Sequence, residues 1–337
     1  MVHQYINNGY HIVLDVNSGA IHVVDEVVYD VIPLFEKHSS EEITGLLREK
    51  YSEEEIREAV EEVAQLKKEG SLFTPDTYEA PLIDFKKRPT VVKALCLHIA
   101  HDCNLACRYC FAEEGEYHGR RALMSYETGK AALDFLIANS GSRRNLEVDF
   151  FGGEPLMNFE VVKQLVAYGR EQEKLHDKHF RFTLTTNGVL LNDDIMEFAN
   201  REMDNVVLSI DGRKEVHDHM RPFRKGAGSY DLIVPKFQKF AKSRNQEKYY
   251  VRGTYTHFNT DFSKDVLHLA DLGFKQISVE PVVAEETDDY AIKEEDLPVL
   301  FKEYDDLAAE MVRRNKAGNG FQLFPFYDRS GRRSMCL

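Results

Sequence analysis

The chain has 337 residues, 43% of them hydrophobic, and a formal net charge of −14. This length suits two domains, or one large domain with an appendage. The negative charge disfavours nonspecific nucleic-acid binding, which needs a basic surface. We find no apolar run long enough to span a membrane and no secretory signal, so we expect neither nucleic acid nor membrane as a partner. Five cysteines, three of them clustered, are not typical of a disulfide framework in so long a chain, and we expect a reducing cytoplasm.

The negative charge is concentrated at the N-terminus. Residues 1–80 contain 17 Asp and Glu against six Lys and Arg, a net charge of −11. One interpretation is a solvated acidic helical face. The other is a surface that attracts a basic peptide segment by long-range steering.

The first predicted elements form a β-hairpin. Residues 10–16 alternate apolar and polar, with Tyr10, Ile12, Leu14 and Val16 on one side. Asn-Ser-Gly at 17–19 predicts a turn, and residues 20–24 predict the return strand.

Three short helices are predicted after the hairpin. The first runs from about residue 25 to 35. The second and third begin at capping boxes, Ser39 with Glu42 and Ser52 with Glu55, and Gly70 ends the third. We therefore predict a small α+β module over residues 1–75 and a linker over 76–93.

From residue 94 the pattern alternates between strands and amphipathic helices. Six β/α units favour parallel strands, because the crossover between parallel strands is usually a helix. We predict an α/β fold with an open, partial (β/α)6 barrel over residues 94–317, and ligands at the carboxyl ends of its strands. The predicted strands are Ala94–Ala100, Leu146–Phe151, Arg181–Thr186, Asn205–Ile210, Tyr249–Thr256 and Gln276–Val282. Helices are predicted near 125–140, 159–175, 191–201, 229–243, 263–272 and 294–316.

Three cysteines follow the first predicted barrel strand in a C-x3-C-x2-C pattern: Cys103, Cys107 and Cys110. Three thiolates can hold three irons of a [4Fe-4S] cluster and leave the fourth iron open to a small molecule. This spacing places a possible metal centre in a loop at the catalytic mouth of the barrel.

A zinc site is the alternative interpretation of the same cysteines. A histidine would then be the fourth ligand, from His98, His101 or His118. The spacing alone leaves both possibilities open. Cys96 falls within the first strand, where we expect a thiol in the core.

The second predicted barrel strand ends in Gly152-Gly153-Glu154-Pro155. Two glycines at a strand end allow a ligand to approach the backbone closely. A neighbouring carboxylate can pair with an ammonium group. Taken alone, the same four residues are also compatible with an ordinary turn.

The cysteine pattern and the Gly-Gly-Glu-Pro run together resemble the radical S-adenosylmethionine (SAM) enzymes. Motifs after or on strands three, four and five are similar as well: Thr185–Gly188, Leu208–Gly212 and Arg252–Thr254. The resemblance covers residues 94 to about 317. It implies a [4Fe-4S] cluster whose open iron binds the amino and carboxylate groups of SAM. One electron then splits SAM into methionine and a 5′-deoxyadenosyl radical, which takes a hydrogen atom from the substrate.

The resemblance also implies roles for individual residues. Cys103, Cys107 and Cys110 would be the metal ligands at the catalytic centre. Tyr109 would pack near the adenine of SAM, and Gly152, Gly153 and Glu154 would hold its amino group. Six further residues are candidates for the SAM ribose or carboxylate, or are structural: Thr185, Asn187, Ser209, Asp211, Arg221 and Arg252. We expect the run His217–Pro222 to form a loop over the substrate rather than a metal site.

The N-terminal module resembles the winged-helix elements that bind leader peptides of ribosomally made precursor peptides. Three runs, residues 9–25, 100–112 and 149–158, resemble those of maturases of "six cysteines in forty-five residues" (SCIFF) peptides. Those maturases are sactisynthase-like and form thioethers from cysteine. The resemblance implies a precursor peptide and an electron donor such as flavodoxin or ferredoxin as partners. Alternatives are a carbon–carbon crosslink, formylglycine formation, or a non-catalytic metal-containing protein that binds a peptide.

The chain departs from these maturases at its C-terminal end. They continue into a cysteine-rich SPASM extension with auxiliary [4Fe-4S] clusters, whereas here residues 318–337 contain only Cys336. We interpret these residues as the start of a truncated extension, with a lone structural cysteine as the alternative. One cysteine cannot hold a cluster, so we expect this chain to bind one cluster.

Overall fold

The computed structural model describes residues 1–77, 90–113, 115–117 and 119–324. These residues form two compact units, residues 1–77 and residues 90–324. Most of the predicted linker, His118 and Cys336 lie outside the described residues. No helix within the described ranges is long and apolar enough to cross a membrane.

The first unit combines a three-stranded sheet with three helices. The antiparallel strands are β1 (Val2–Asn7), β2 (Tyr10–Asp15) and β3 (Ala20–Val24), in that spatial order. The helices are α1 (Glu26–Phe35), α2 (Ser40–Leu47) and α3 (Glu53–Lys68). The predicted hairpin and helices are confirmed, whereas β1 was not predicted.

The helix starts of the first unit follow the predicted capping chemistry. Ser39 accepts a hydrogen bond from the Glu42 amide, and the Glu42 carboxylate accepts one from the Ser39 amide at 2.8 Å. Ser52 and Glu55 form the same reciprocal pair at the start of α3. Each pair satisfies two amides that have no partner inside the helix.

The buried side of strand β2 is the one opposite to Tyr10, Ile12, Leu14 and Val16. Val13 is fully buried among helix residues such as Val28 and Ile32, while Tyr10 and Val16 are exposed. Asp15 shares the buried side because its carboxylate accepts hydrogen bonds from the turn that follows and from the Thr74 amide.

The second unit is built on one mixed sheet of eight strands. Its spatial order is β11-β10-β9-β8-β7-β6-β4-β5, with β5 alone antiparallel to its neighbour. In chain order the strands are β4 (Ala94–His101), β5 (Ala122–Leu123), β6 (Asn145–Gly152), β7 (His179–Thr186), β8 (Asn205–Ser209), β9 (Tyr249–Tyr255), β10 (Gln276–Pro281) and β11 (Gln322–Leu323). The helices are α4 (Tyr126–Asn139), α5 (Phe159–His176), α6 (Asp193–Glu202), α7 (Lys214–Met220), α8 (Tyr230–Ser243), α9 (Ser263–Asp271) and α10 (Leu297–Lys316).

The predicted α/β class and the six parallel strands are confirmed, each strand within two residues of its expected bounds. The sheet also includes Gln322–Leu323, beyond the residue 317 at which we expected the barrel to end. The expectation of a loop over His217–Pro222 is wrong, because α7 occupies most of that run. Its His217 is fully buried, which its hydrogen bonds to neighbouring residues allow.

Successive side chains along each parallel strand point alternately to the helix-covered core and to the opposite face of the sheet. On β6, Leu146, Val148 and Phe150 are buried against helices. The intervening residues face the concave side of the sheet, as period-two geometry requires. Because the strands are parallel, their carboxyl ends meet along one edge, where the loops that carry the predicted motifs come together.

Candidate active site

A cavity of about 430 Å³ lies at the carboxyl edge of the second unit's sheet. Its walls come from the loop after β4 and from the ends of β6 to β10. Eleven of the residues singled out from the sequence line it: Cys103, Cys107, Tyr109, Cys110, Gly152, Gly153, Thr185, Asn187, Ser209, Arg221 and Arg252. Glu154 and Asp211 do not line this cavity and lie behind its wall.

The three thiols are free and half-buried in the loop that follows β4. The Cys103 sulfur accepts weak hydrogen bonds from the Leu105 amide at 3.5 Å and from Asn187 Nδ2 at 3.6 Å. Burial raises the pKa of Cys103 to about 12 and that of Cys107 to about 11. A bound cation would reverse this effect, because metal coordination deprotonates a thiol.

The cysteine loop is held in place by the segment that follows α7. Leu105 forms an isolated β-bridge with Phe223, and the Arg108 amide donates to the Met220 carbonyl at 2.9 Å. Arg224 donates two hydrogen bonds to the Cys103 carbonyl, at 2.7 and 3.1 Å. The loop therefore has a defined shape before any ligand binds.

The two glycines after β6 are required by close backbone packing. A Cβ on Gly153 would lie 2.1 Å from the Asp102 carbonyl oxygen, next to the first cysteine. Gly152 has a φ of +124°, which favours glycine, and a Cβ there would lie 2.6 Å from the Ala100 carbonyl oxygen. These glycines let the end of β6 lie directly against the start of the cysteine loop.

Glu154 is fully buried and hydrogen-bonded by the protein itself. Its carboxylate accepts from the Leu156 amide at 3.0 Å, the Thr186 hydroxyl at 2.8 Å and the Asn187 amide at 2.8 Å. Burial raises its pKa to about 7 despite these bonds. Through these bonds Glu154 fixes the backbone at the end of β7. Asn187, which follows β7, in turn donates a hydrogen bond to the Cys103 sulfur.

Asp211 is the centre of a second buried network. Its carboxylate is fully buried and accepts from the Tyr109 hydroxyl at 2.7 and 2.8 Å, Arg221 Nε at 3.1 Å and the Thr254 amide at 3.1 Å. Arg221 Nη1 lies 3.9 Å from the Cys107 sulfur. Tyr109 and Arg221 thus both donate hydrogen bonds to the Asp211 carboxylate, which lies behind the cavity wall.

The far wall of the cavity carries a more exposed ion pair. Arg252 Nη2 donates to the Glu280 carboxylate at 2.5 Å, and both side chains are nearly half exposed. Glu280 is not among the residues singled out from the sequence, although its position near the end of strand β10 was a usable signal. Ser209 and Thr185 line the cavity beside them.

The expectation that Cys96 is a core thiol is wrong. Its neighbours Leu97 and Ile99 are buried, but Cys96 is exposed. Since Leu97 and Ile99 face the helices, alternation along β4 puts Cys96 on the concave face of the sheet.

The donor set fits an iron–sulfur cluster with one open iron. Three thiols from one short loop line a cavity that also offers backbone and polar groups to a small molecule. Within the described ranges, no three His, Cys, Asp or Glu side chains converge as ligands of a single metal ion would.

Comparison with protein families gives a match to the radical SAM superfamily over residues 97–272, which is 176 of 337 residues. An uncharacterised protein of Methanocaldococcus jannaschii is 31% identical over 189 residues, covering 56% of this chain and 62% of that protein. A radical SAM cyclopropyl synthase of Paramaledivibacter caminithermalis is 23% identical over 184 residues, covering 50% and 38%. The chain thus spans less than two thirds of the length of these relatives.

Two solved structures share the fold. Native anSMEcpe with bound AdoMet and Cp18Cys peptide has a TM-score of 0.59 and 20% identity, covering 69% of this chain and 63% of that chain. Streptococcus suis SuiB bound to S-adenosylmethionine has a TM-score of 0.51 and 17% identity, covering 93% and 69%.

Proposed function

The chain belongs to the radical SAM superfamily, and from this premise we propose that it holds a [4Fe-4S] cluster through Cys103, Cys107 and Cys110 and cleaves SAM. One observation carries the proposal: the three thiols line a single cavity at the carboxyl edge of a parallel sheet. When bound, the cluster would supply the electron that splits the sulfonium bond of SAM.

The protein's own residues would bind and orient SAM. Gly152 and Gly153 let the end of β6 pack against the cysteine loop, and both line the cavity in which its methionine part would lie. Arg252 is the better candidate for its carboxylate, because an exposed ion pair with Glu280 costs little to exchange. Arg221 is already engaged by the fully buried Asp211.

We further propose that the substrate is a ribosomally made precursor peptide. This proposal is supported by the solved neighbour anSMEcpe, which carries a bound peptide beside AdoMet. The expected reaction forms a SCIFF-like thioether: the S–H bond of a cysteine and a C–H bond of another residue break, and a C–S bond forms. One hydrogen atom would pass to the 5′-deoxyadenosyl radical, and the other would leave as a proton, with its electron returned to the cluster.

The first unit would bind the leader of that peptide as a winged-helix-like recognition element. In the described sheet, β1 and β3 are edge strands, each paired with β2 alone. An extended peptide can add to such an edge through main-chain hydrogen bonds. The acidic first turn of α3, Glu53 to Glu55, suits a leader with basic residues. Steering would make leader affinity fall with rising ionic strength, and insensitivity to salt would rule this attraction out.

Formylglycine formation is the second candidate reaction, because a cysteine-type anaerobic sulfatase-maturating enzyme of Clostridium novyi is 28% identical over 137 residues, covering 40% of this chain and 36% of that enzyme. The two reactions leave different masses on a cysteine peptide. A crosslink removes two hydrogen atoms and joins two residues, whereas formylglycine replaces the thiol with an aldehyde oxygen.

The proposal is tested by anaerobic reconstitution with iron and sulfide, followed by dithionite and SAM. We expect four irons per chain and 5′-deoxyadenosine as a product, with both lost on Cys103→Ala, Cys107→Ala or Cys110→Ala. The matched control, Cys96→Ala, should retain both. A protein that binds zinc and releases no 5′-deoxyadenosine would sink the proposal. A co-expressed candidate precursor, analysed by mass spectrometry, then distinguishes the reactions.

A further inference from the structure

Arg221 is a nearly buried cation beside one of the cysteine sulfurs. Its side chain is 13% exposed, and its Nη1 lies 3.9 Å from the Cys107 sulfur. Its Nε donates to the fully buried Asp211 at 3.1 Å. Its guanidinium also lies 5.5 Å from the centre of the Tyr109 ring, which adds a cation–π contact.

The backbone around Arg221 is fixed from both sides. The Arg221 amide donates to the His217 carbonyl at 2.7 Å, and the Ser229 hydroxyl donates to the Arg221 carbonyl at 2.8 Å. The next residue, Pro222, accepts from the Ala106 amide of the cysteine loop at 2.9 Å. Arg221 and the cysteine loop are therefore one packed assembly.

Asp211 is placed to hold the guanidinium rather than to bind a ligand. It accepts hydrogen bonds from Tyr109, Arg221 and the Thr254 amide, and it does not line the cavity. Leaving either member of this buried pair without its partner is costly, so the geometry of the pair is strongly constrained.

We propose that Arg221, oriented by Asp211, raises the reduction potential of the cluster held by Cys107. This inference rests on the proposed cluster site. Reduction adds one negative charge to a centre that already carries three thiolates. A fixed cation and an N–H donor close to a cluster sulfur stabilise that charge, and both are known determinants of cluster potential. Asp211 is a positioning residue for Arg221, and its own negative charge offsets part of the effect of the guanidinium.

A redox titration of the reconstituted full chain, followed by electron paramagnetic resonance without SAM, tests this role. Arg221→Gln should shift the midpoint to more negative values, with the reduced-to-oxidised ratio at the wild-type midpoint falling about tenfold, or about 59 mV for one electron. Arg221→Lys should shift less, because it keeps the charge. Asp211→Asn keeps a side-chain oxygen that can accept from Arg221 Nε and so holds the guanidinium in place, but it removes the compensating anion. It should therefore shift the midpoint in the opposite direction.

Arg252→Gln is the matched control, since Arg252 lines the same cavity but has Glu280 as its partner. It should leave the midpoint unchanged. A purely structural role for Arg221 would not give shifts of opposite sign at Arg221 and Asp211. Unchanged midpoints in cluster-loaded Arg221→Gln would overturn the inference. If that variant fails to load, equal midpoints in Arg221→Lys, Asp211→Asn and the wild type would overturn it. A wild-type protein that binds no cluster would instead sink the proposed function.

Discussion

The burial of His217 predicts a pH dependence of stability. Burial lowers its pKa to about 4, from 6.5. In its neutral form, Nδ1 accepts from the Asp211 amide at 3.3 Å and Nε2 donates to the Ser229 hydroxyl at 2.9 Å. Because the unfolded chain takes up the proton first, this stability is fully present above about pH 6.5 and is lost as the pH falls towards 4. A shift of this size corresponds to about 3 kcal/mol.

The contribution of Glu154 to stability has the opposite pH dependence over nearly the same pH range. Its pKa is raised to about 7 by burial, so its contribution to stability falls as the pH rises from about 4.5 to 7. The wild-type curve alone therefore mixes two effects. The difference between the wild type and His217→Gln isolates the histidine, since Glu154 is common to both.

Hydrogen exchange of amides in β7 and β8, on the protein without cluster, gives the opening free energy of the second unit. The advantage of the wild type over His217→Gln should shrink by about 3 kcal/mol between pH 6.5 and about 4. The same substitution at the exposed His176 should show no such change. A difference that stays constant with pH would refute the argument that the fold keeps His217 neutral.

Two further substitutions and one labelling experiment test the packing of the site. Gly153→Ala places a Cβ against the Asp102 backbone and should cost about 1–3 kcal/mol and weaken SAM binding; Gly45→Ala, where the added Cβ meets open space and φ is not positive, should retain SAM binding. Glu154→Gln turns an amide N–H₂ towards a buried backbone N–H and should cost about 1–3 kcal/mol of unfolding free energy; an unchanged value would contradict the assigned contacts. In the cluster-loaded protein, Cys96 should react with a thiol reagent before Cys103, Cys107 and Cys110 do, as mass spectrometry of digests would show; protection of Cys96 would contradict its exposure.

Much of the fold could be predicted because the spacing of apolar residues along the sequence differs between strands and helices. Strand β7 was expected at 181–186 and lies at His179–Thr186, since its alternation and flanking helices are strong signals. Helix α7 was missed because it has only seven residues and its N-cap, Arg213, makes no side-chain capping bond. Strand β1 was missed because its buried face has few large apolar residues.

The site could be predicted only as far as local motifs reach. The cysteines and glycines occupy short runs, and the structure brings them to one cavity. The partners of Glu154 and Arg221 depend on contacts across 32 and 114 residues, which no local pattern encodes. The prediction for Cys96 was wrong because the alternation of side chains along a strand shows only that the strand has two faces. Which face the helices cover is decided by the packing of the whole sheet, and Cys96 lies on the uncovered one.

The central claim is that Cys103, Cys107 and Cys110 hold a cluster with one iron open to SAM. Adding SAM to the dithionite-reduced, reconstituted protein tests this directly by electron paramagnetic resonance. We predict that SAM changes the g-values of the cluster signal, because its amino and carboxylate groups bind the open iron. A strong cluster signal that is identical with and without saturating SAM would contradict the account.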